Sequence, residues 1–227
     1  MSGGYMLQNS IGEILKYIAF RYTNLGAPSY NYCVDPIELS TLINEIERLK
    51  DADGCIIEVG VARGMTTKFL CEHIMREGLN ETYYAIDTFS SFTSEDIDHE
   101  VNIRKKCHND FNGFRYNDFK TWVNNFKNYD FVIPVKADCS KFKYKDIKPI
   151  KLAFLDVDLY LPTRNALAAI FSALVEGGVI IVDDVAPNER YDGAYQAYME
   201  FCDANGLQPV RVGKRCGIIR KESGALR

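Results

Sequence analysis

The sequence has no apolar run approaching the roughly 20 residues that span a bilayer, so no membrane partner is expected. It has no Cys-x-x-Cys pair, which leaves no basis for a structural zinc site. It has no surplus of basic residues: 27 Lys and Arg face 31 Asp and Glu, for a net charge of −4. That balance argues against a nucleic-acid partner. The runs Arg104-Lys105-Lys106 and Lys141, Lys143, Lys145, Lys148 read as solvated faces. The G-x-G-x-x-G fingerprint of dinucleotide folds is missing, as are internal repeats and Pro/Gly/Ser linkers. The first 22 residues lack a basic start and are interrupted by Glu13 and Lys16, so no secretory signal is expected there.

The residues that are present fit a soluble globular protein. The 227 residues, 47% hydrophobic and 26% charged, suffice for one large domain with a substantial core. The seven cysteines are odd in number and irregularly spaced. Cys55, Cys71 and Cys202 sit in apolar segments, which suits reduced thiols and a cytoplasmic location.

Periodicity predicts an alternating architecture. Ile11, Ile14, Leu15, Ile18, Ala19 and Tyr22 form a helical stripe, with Ser10 and Glu13 as a capping box at its start. A second helix carries Leu39, Leu42, Ile43, Ile46 and Leu49. Strands are expected at 54–59, 82–86, 131–135, 152–155 and 179–182, with short ones near Val210 and Ile218. Helices are expected from Met65 to Arg76, after Pro162, and from Asp192 to Asp203. Gly177-Gly178 should stop the helix after Pro162. Apolar strands alternating with amphipathic helices predict an α/β fold with a parallel sheet covered on both faces. The polar and aromatic stretch from Thr88 to Asp130 breaks the rhythm. It reads as a lid or pocket wall, or else as a helical excursion packed on the sheet.

The chemistry gathers at strand ends. Leu155-Asp156-Val157-Asp158 and Val182-Asp183-Asp184 each close an apolar run. Carboxylates held together would repel and shift their pKa values upward. A hard divalent cation such as Mg2+ relieves this, because it prefers carboxylate and water oxygens; helix capping is the structural alternative. Glu58-Val59-Gly60-Val61-Ala62-Arg63-Gly64 sits where the first strand turns into its helix, where open α/β sheets bind ligands. Gly60 would allow close backbone approach and Gly64 a tight helix start. Glu58 could hold an ammonium or hydroxyl group. Asp87 is placed to accept hydrogen bonds from ribose hydroxyls, or to cap the next segment of chain. Asp138-Cys139-Ser140 could reach an adenine edge or simply form a turn.

Four stretches, EVGVARGMTTKFL, AIDTFSSFTSEDIDHEV, KLAFLDVDLYLPTRNAL and EGGVIIVDD, together resemble the macrocin O-methyltransferase family of class I S-adenosylmethionine-dependent methyltransferases. They cover most of residues 54–205 in the family's order. The resemblance implies a Rossmann-like, seven-stranded, mostly parallel sheet with helices on both faces. It implies a methyltransferase domain over 51–227 with a lid-like insertion at 88–130, and an N-terminal helical segment, 1–50, packed on it. Glu58, Gly60, Gly64 and Asp87 match the S-adenosylmethionine site, which Asp138 and Ser140 would complete. Asp156, Asp183 and Asp184 match a divalent-metal triad, with Asp156 also the base. Asp158 matches the second strand-four acid, though strand alternation would turn it to the other face. The family's glycine between the strand-four acids is Val157 here, its aromatic in the first turn is Ala62, and a histidine of some relatives is Leu159. The implied acceptor is a sugar hydroxyl on a small molecule or glycan. A catechol-like diol, a nicotinamide-dependent oxidoreductase and a non-catalytic cofactor binder remain alternatives. Self-association is left open. His99 reads as a substrate contact or a surface histidine, and Tyr160 as a pocket wall or a packing residue.

Overall fold

A computed structural model describes residues 3–147 and 149–222; Lys148 of the second basic run lies outside them. The chain divides into two compact units, residues 1–33 and 34–227. The smaller unit holds helix α1 (Gly3–Tyr22) and a 3-10 turn, Asn24–Gly26. The capping box expected at Ser10 is not a helix start, because α1 already runs through it. Met6, Leu7 and Gln8 are good helix formers that extend it upstream. Glu13 instead pairs with Lys16 at 2.8 Å. The stripe Ile11, Ile14, Leu15, Ile18 and Tyr22 is exposed.

The larger unit begins with α2 (Pro36–Leu49), which a boundary at residue 50 would group with the N-terminal segment. The order continues β1 (Cys55–Val59), α3 (Met65–Arg76), β2 (Tyr83–Asp87), α4 (Ser94–Asn102), α5 (Phe119–Phe126), β3 (Val132–Lys136), β4 (Ile150–Leu155), α6 (Tyr160–Ala173), β5 (Leu174–Val182), α7 (Gly193–Ala204), β6 (Val210–Val212) and β7 (Cys216–Arg220). These strands make one sheet in the order β3-β2-β1-β4-β5-β7-β6. The pairs from β3 to β5 are parallel, and β7 is antiparallel to both its neighbours. Every residue of β1 and β4 is buried, which explains why they are apolar apart from Glu58 and Lys151: a central parallel strand is covered on both faces. Ile57, Val59, Ala153, Leu155, Ile180 and Val182 share a core cluster with Ala166, Leu167 and Ile170 of α6 and Tyr198 of α7.

Gly177-Gly178 does not end α6. The helix stops at Ala173, and the glycines lie within β5. There the register slips, so that Ile150 pairs with Leu174 but Leu152 with Val179. Gly177 takes φ +74° while donating its N–H to Lys221 O, a conformation open to glycine. The 88–130 insertion is anchored by a few aromatic residues, with much of its surface exposed. Phe111, Trp122 and Phe126 are buried, and Trp122 stacks on Phe126 at 4.1 Å.

Candidate active site

Parallel strands deliver their carboxyl ends to one edge, so β1, β2, β3 and β4 present Gly60, Asp87, Asp138 and Asp156 together. Their order places β1 beside both β2 and β4. Gly60 has φ +87°, and a Cβ there would lie 1.8 Å from Asp156 O. The glycine is therefore required by the acid strand it touches. Asp156 N donates to Val59 O at 2.9 Å, fixing the same junction.

A crevice of about 600 Å3, open to solvent, runs along this edge. Gly60, Ala62, Asp87, Asp138, Cys139, Val157 and Asp158 line one side, and Ser91, Phe92, Phe114 and Asn117 of the insertion line it too. Asp87 Oδ2 accepts from Val61 N (2.9 Å) and Ala62 N (3.1 Å), and Oδ1 from Phe89 N (2.6 Å). Thr88 Oγ1 also lies 3.4 Å from Oδ1, so Asp87 shapes the turn from both of its oxygens. Asp138 Oδ1 accepts from Ser140 N at 2.9 Å, closing a local turn. Ser140 Oγ is buried without a hydrogen-bond partner.

Two of the cofactor residues expected from sequence are used otherwise. Glu58 is buried, away from the crevice lining. It accepts from Thr67 Oγ1 and Tyr83 OH, both at 2.5 Å, tying β1 to α3 and β2. Burial pushes its carboxyl up to about 7, opposed by those two hydrogen bonds. Gly64 caps α3 at φ +87°, and a Cβ there would meet the Phe126 ring at 2.5 Å. Its glycine serves the packing of α5.

Carboxylate oxygens of Asp158, which lines the crevice, and of Asp156 and Asp184, which do not, lie within 4.8 Å of one another. Strand alternation does not turn Asp158 away, because β4 ends at Leu155. Asp158 takes a left-handed φ of +62°, as Asp184 does at +59°, a conformation that Asp tolerates better than most residues. At an effective dielectric of about 20, two charges this close repel by about 3 kcal/mol. Three such pairs approach the whole stability of a domain. Accordingly Asp156 and Asp158 are pushed well above the usual carboxylate range, by burial first and then by Asp183 and Asp184 respectively. Asp184 is pushed up to about 6 by burial and the charge of Asp183.

Asp183 is held differently. Arg215 donates Nε to its Oδ1 (2.9 Å) and Nη2 to its Oδ2 (3.0 Å), a bidentate clasp. The guanidinium also reaches Asp184 Oδ1. Behind Asp183 lies Glu38 of α2, fully buried and pushed up to about 10 by burial and by the Asp183 charge. Neither Arg215 nor Glu38 stands out in the sequence. Arg215 arrives because β7 pairs beside β5, Gly217 opposite Val182, and no local pattern signals that contact.

The donor set suits a hard divalent cation. The oxygens of Asp156, Asp158 and Asp184 converge, and Asp184 Oδ2 is buried with no hydrogen-bond partner. Asp183, committed to Arg215, orients Asp184 by accepting its N–H at 2.7 Å. Tyr160 opens α6 as a packing residue: its ring stacks on His99 at 5.1 Å and its OH donates to Glu200 at 2.6 Å. His99 is half-buried in that stack rather than a free surface histidine.

Comparison with curated protein sequences gives no match. Among solved structures, the fold is similar to the O-methyltransferase NovP, with TM-score 0.68 and 16% identity over 93% of this chain and 94% of that one. It is similar to CalS11, a calicheamicin methyltransferase, with TM-score 0.65 and 19% identity over 81% and 78%. A putative caffeoyl-CoA O-methyltransferase from Staphylococcus aureus gives TM-score 0.52 and 13% identity over 95% of each chain. Among the described residues no helix is long and apolar enough to cross a membrane. The family model described as Macrocin-O-methyltransferase (TylF) matches residues 37–212, well over half of the sequence. The chain therefore belongs to the macrocin O-methyltransferase (TylF) family and is an S-adenosylmethionine-dependent O-methyltransferase.

Proposed function

We propose that this enzyme methylates a hydroxyl of a sugar, free or carried on a small molecule or glycan, with a divalent cation held at the acid cluster. The observation that carries the reading is the continuity of one crevice from Asp87 and Asp138 to Asp158. A donor seated over the strand ends would have its methyl group facing the acids. CalS11 is described as a TDP-rhamnose 3'-O-methyltransferase, which fits an acceptor of this class. All seven cysteines are free, in keeping with a cytoplasmic setting.

The chain's own groups have separable tasks. Asp87 keeps the turn at Val61 and Ala62 in shape and accepts from the donor's ribose. Asp138 and Cys139 bound the end that would take the adenine, and Ser140 holds Asp138 through its N–H. Asp156, Asp158 and Asp184 would hold Mg2+ or a similar ion, which would supply Lewis-acid activation of the acceptor oxygen. Asp158 lines the crevice and Asp156 does not, so the proton-accepting role expected of Asp156 from sequence passes to Asp158. Because it faces the crevice, Asp158 is the acid assigned to accept the proton of the acceptor hydroxyl. Methyl transfer from a sulfonium needs oxygen, carbon and sulfur in line, so positioning is much of the catalysis. Phe92 and Phe114, in edge contact at 5.4 Å, supply an apolar wall that keeps water from the donor.

The test is transfer of labelled methyl from S-adenosylmethionine to a panel of nucleotide sugars, glycosides and catechols, with chelator and with Mg2+ restored. Methylation of a sugar hydroxyl, lost on chelation and recovered with Mg2+, is expected. Turnover indifferent to chelation would remove the cation from the account, and methylation of catechols alone would remove the sugar.

A further inference from the structure

We infer that Glu100 of α4, locked by Arg104, is a positioning residue that fixes the Asp156–Tyr160 loop and so sets the metal-binding geometry of Asp158. The inference rests on the acid cluster being a cation site. Glu100 is 1% exposed, yet it belongs to the insertion rather than to the sheet. Its Oε1 accepts the backbone N–H of Tyr160 at 2.8 Å, and its Oε2 accepts Nη1 of Arg104 at 2.6 Å.

Arg104 extends the junction to α7. Its Nη2 donates to Asp192 Oδ1 (2.8 Å) and Asp192 O (3.2 Å), and its Nε to Gln196 Oε1 (3.0 Å). The next turn of chain reaches the acid loop, where Ala194 N donates to Asp158 O at 3.2 Å. Gly193 leaves room for this meeting: a Cβ there would lie 2.4 Å from Tyr160 N and 2.9 Å from Glu100 Oε1.

Asp158 is therefore fixed from both directions. Its loop leaves β4 through the Asp156–Val59 bond and enters α6 through the Tyr160–Glu100 bond. Between these anchors Asp158 keeps a left-handed conformation, which persists only where its surroundings over-determine it. Glu100 also occupies the N-terminus of α6, where a carboxylate is favoured by the helix dipole. Neither Glu100 nor Arg104 lines the crevice wall, so Glu100 acts through the loop and not on the donor. It couples α4 of the insertion to the acids beneath it.

The experiment measures Mn2+ and S-adenosylhomocysteine affinities, by calorimetry, for the wild type, Glu100→Ala and Glu100→Gln. Loss of a residue that orients a metal ligand typically costs 10–100-fold in metal affinity. Glu100→Ala is expected to weaken Mn2+ binding at least tenfold with S-adenosylhomocysteine affinity unchanged within twofold. Glu100→Gln keeps an oxygen for Tyr160 N and is expected to recover most of the loss. If Glu100→Ala does not fold, Arg104→Met is judged by the same two affinities. Unchanged Mn2+ affinity overturns the inference, and so does a parallel loss of both affinities with no recovery in Glu100→Gln. Wild-type protein that fails to bind Mn2+ would instead overturn the cation site itself.

Discussion

Asp156→Asn should make the metal-free enzyme more stable while ending its activity. Asn is nearly isosteric with Asp, and the main-chain bond from residue 156 to Val59 O is untouched. The substitution removes one charge from a group whose carboxylate oxygens lie within 4.8 Å of those on Asp158 and Asp184. At an effective dielectric of about 20, each such pair costs up to about 3 kcal/mol. Proton uptake by the acids relieves part of this in the wild type, leaving an expected gain of about 1–3 kcal/mol. For a chain of 227 residues, each kcal/mol moves Tm by about 2–4 °C. In chelator the variant should therefore melt several degrees above the wild type. Adding millimolar Mg2+ should raise the wild-type Tm, because a ligand that binds only the native state stabilises it. The variant should respond weakly and show no methyl transfer. A variant that melts below the wild type in chelator would show that the three carboxylates do not repel, and one that keeps full turnover would show that Asp156 holds no essential ion.

The same geometry leads to three further outcomes. The raised carboxyls make metal-free folding take up protons: Asp184 sits at about 6 against an ordinary 3.8, and Asp156 and Asp158 are likewise raised well above it by burial and their neighbours' charges. Their contribution is full below about pH 3.8 and lost as pH rises through 6 and beyond. In chelator the protein should thus melt higher at pH 5.5 than at pH 8, and Asp156→Asn should flatten the difference; equal slopes would count against the cluster as the cause. Gly60→Ala places a Cβ 1.8 Å from Asp156 O at φ +87°, so urea denaturation should show a loss of about 3 kcal/mol or more; a loss under about 1 kcal/mol would mean the strand ends are not locked together. Asp87→Ala should weaken S-adenosylhomocysteine at least tenfold, since it removes both the ribose acceptor and the partner of Val61 and Ala62; unchanged calorimetric affinity would refute its role.

The sheet was legible because its strands are local signals. Cys55–Val59 and Ile150–Leu155 are apolar except for Glu58 and Lys151, as suits centrally buried parallel strands. The acids after β4 and β5 were legible for the same reason: polar residues that end such runs fall on one edge. The features hidden in the sequence depend on contacts between distant elements. Arg215 meets Asp183 only because β7 docks antiparallel against β5. Glu38 reaches Asp183 from α2. Alternation carried past Leu155 turns Asp158 away, but the strand has ended there and the backbone turns left-handed. Gly177-Gly178 resembles a helix stop, yet the register slip between β4 and β5 uses it inside a strand. Glu58 and Gly64 sit in the cofactor turn but serve its framework, a distinction set by which way each packs.

The most direct test is a crystal structure with S-adenosylhomocysteine and Mn2+, with anomalous scattering used to locate the ion. One Mn2+ peak is expected between the carboxylates of Asp156, Asp158 and Asp184, with the homocysteine sulfur facing it across the crevice. Bound S-adenosylhomocysteine with no anomalous peak at that position, at millimolar Mn2+ and neutral pH, would contradict it.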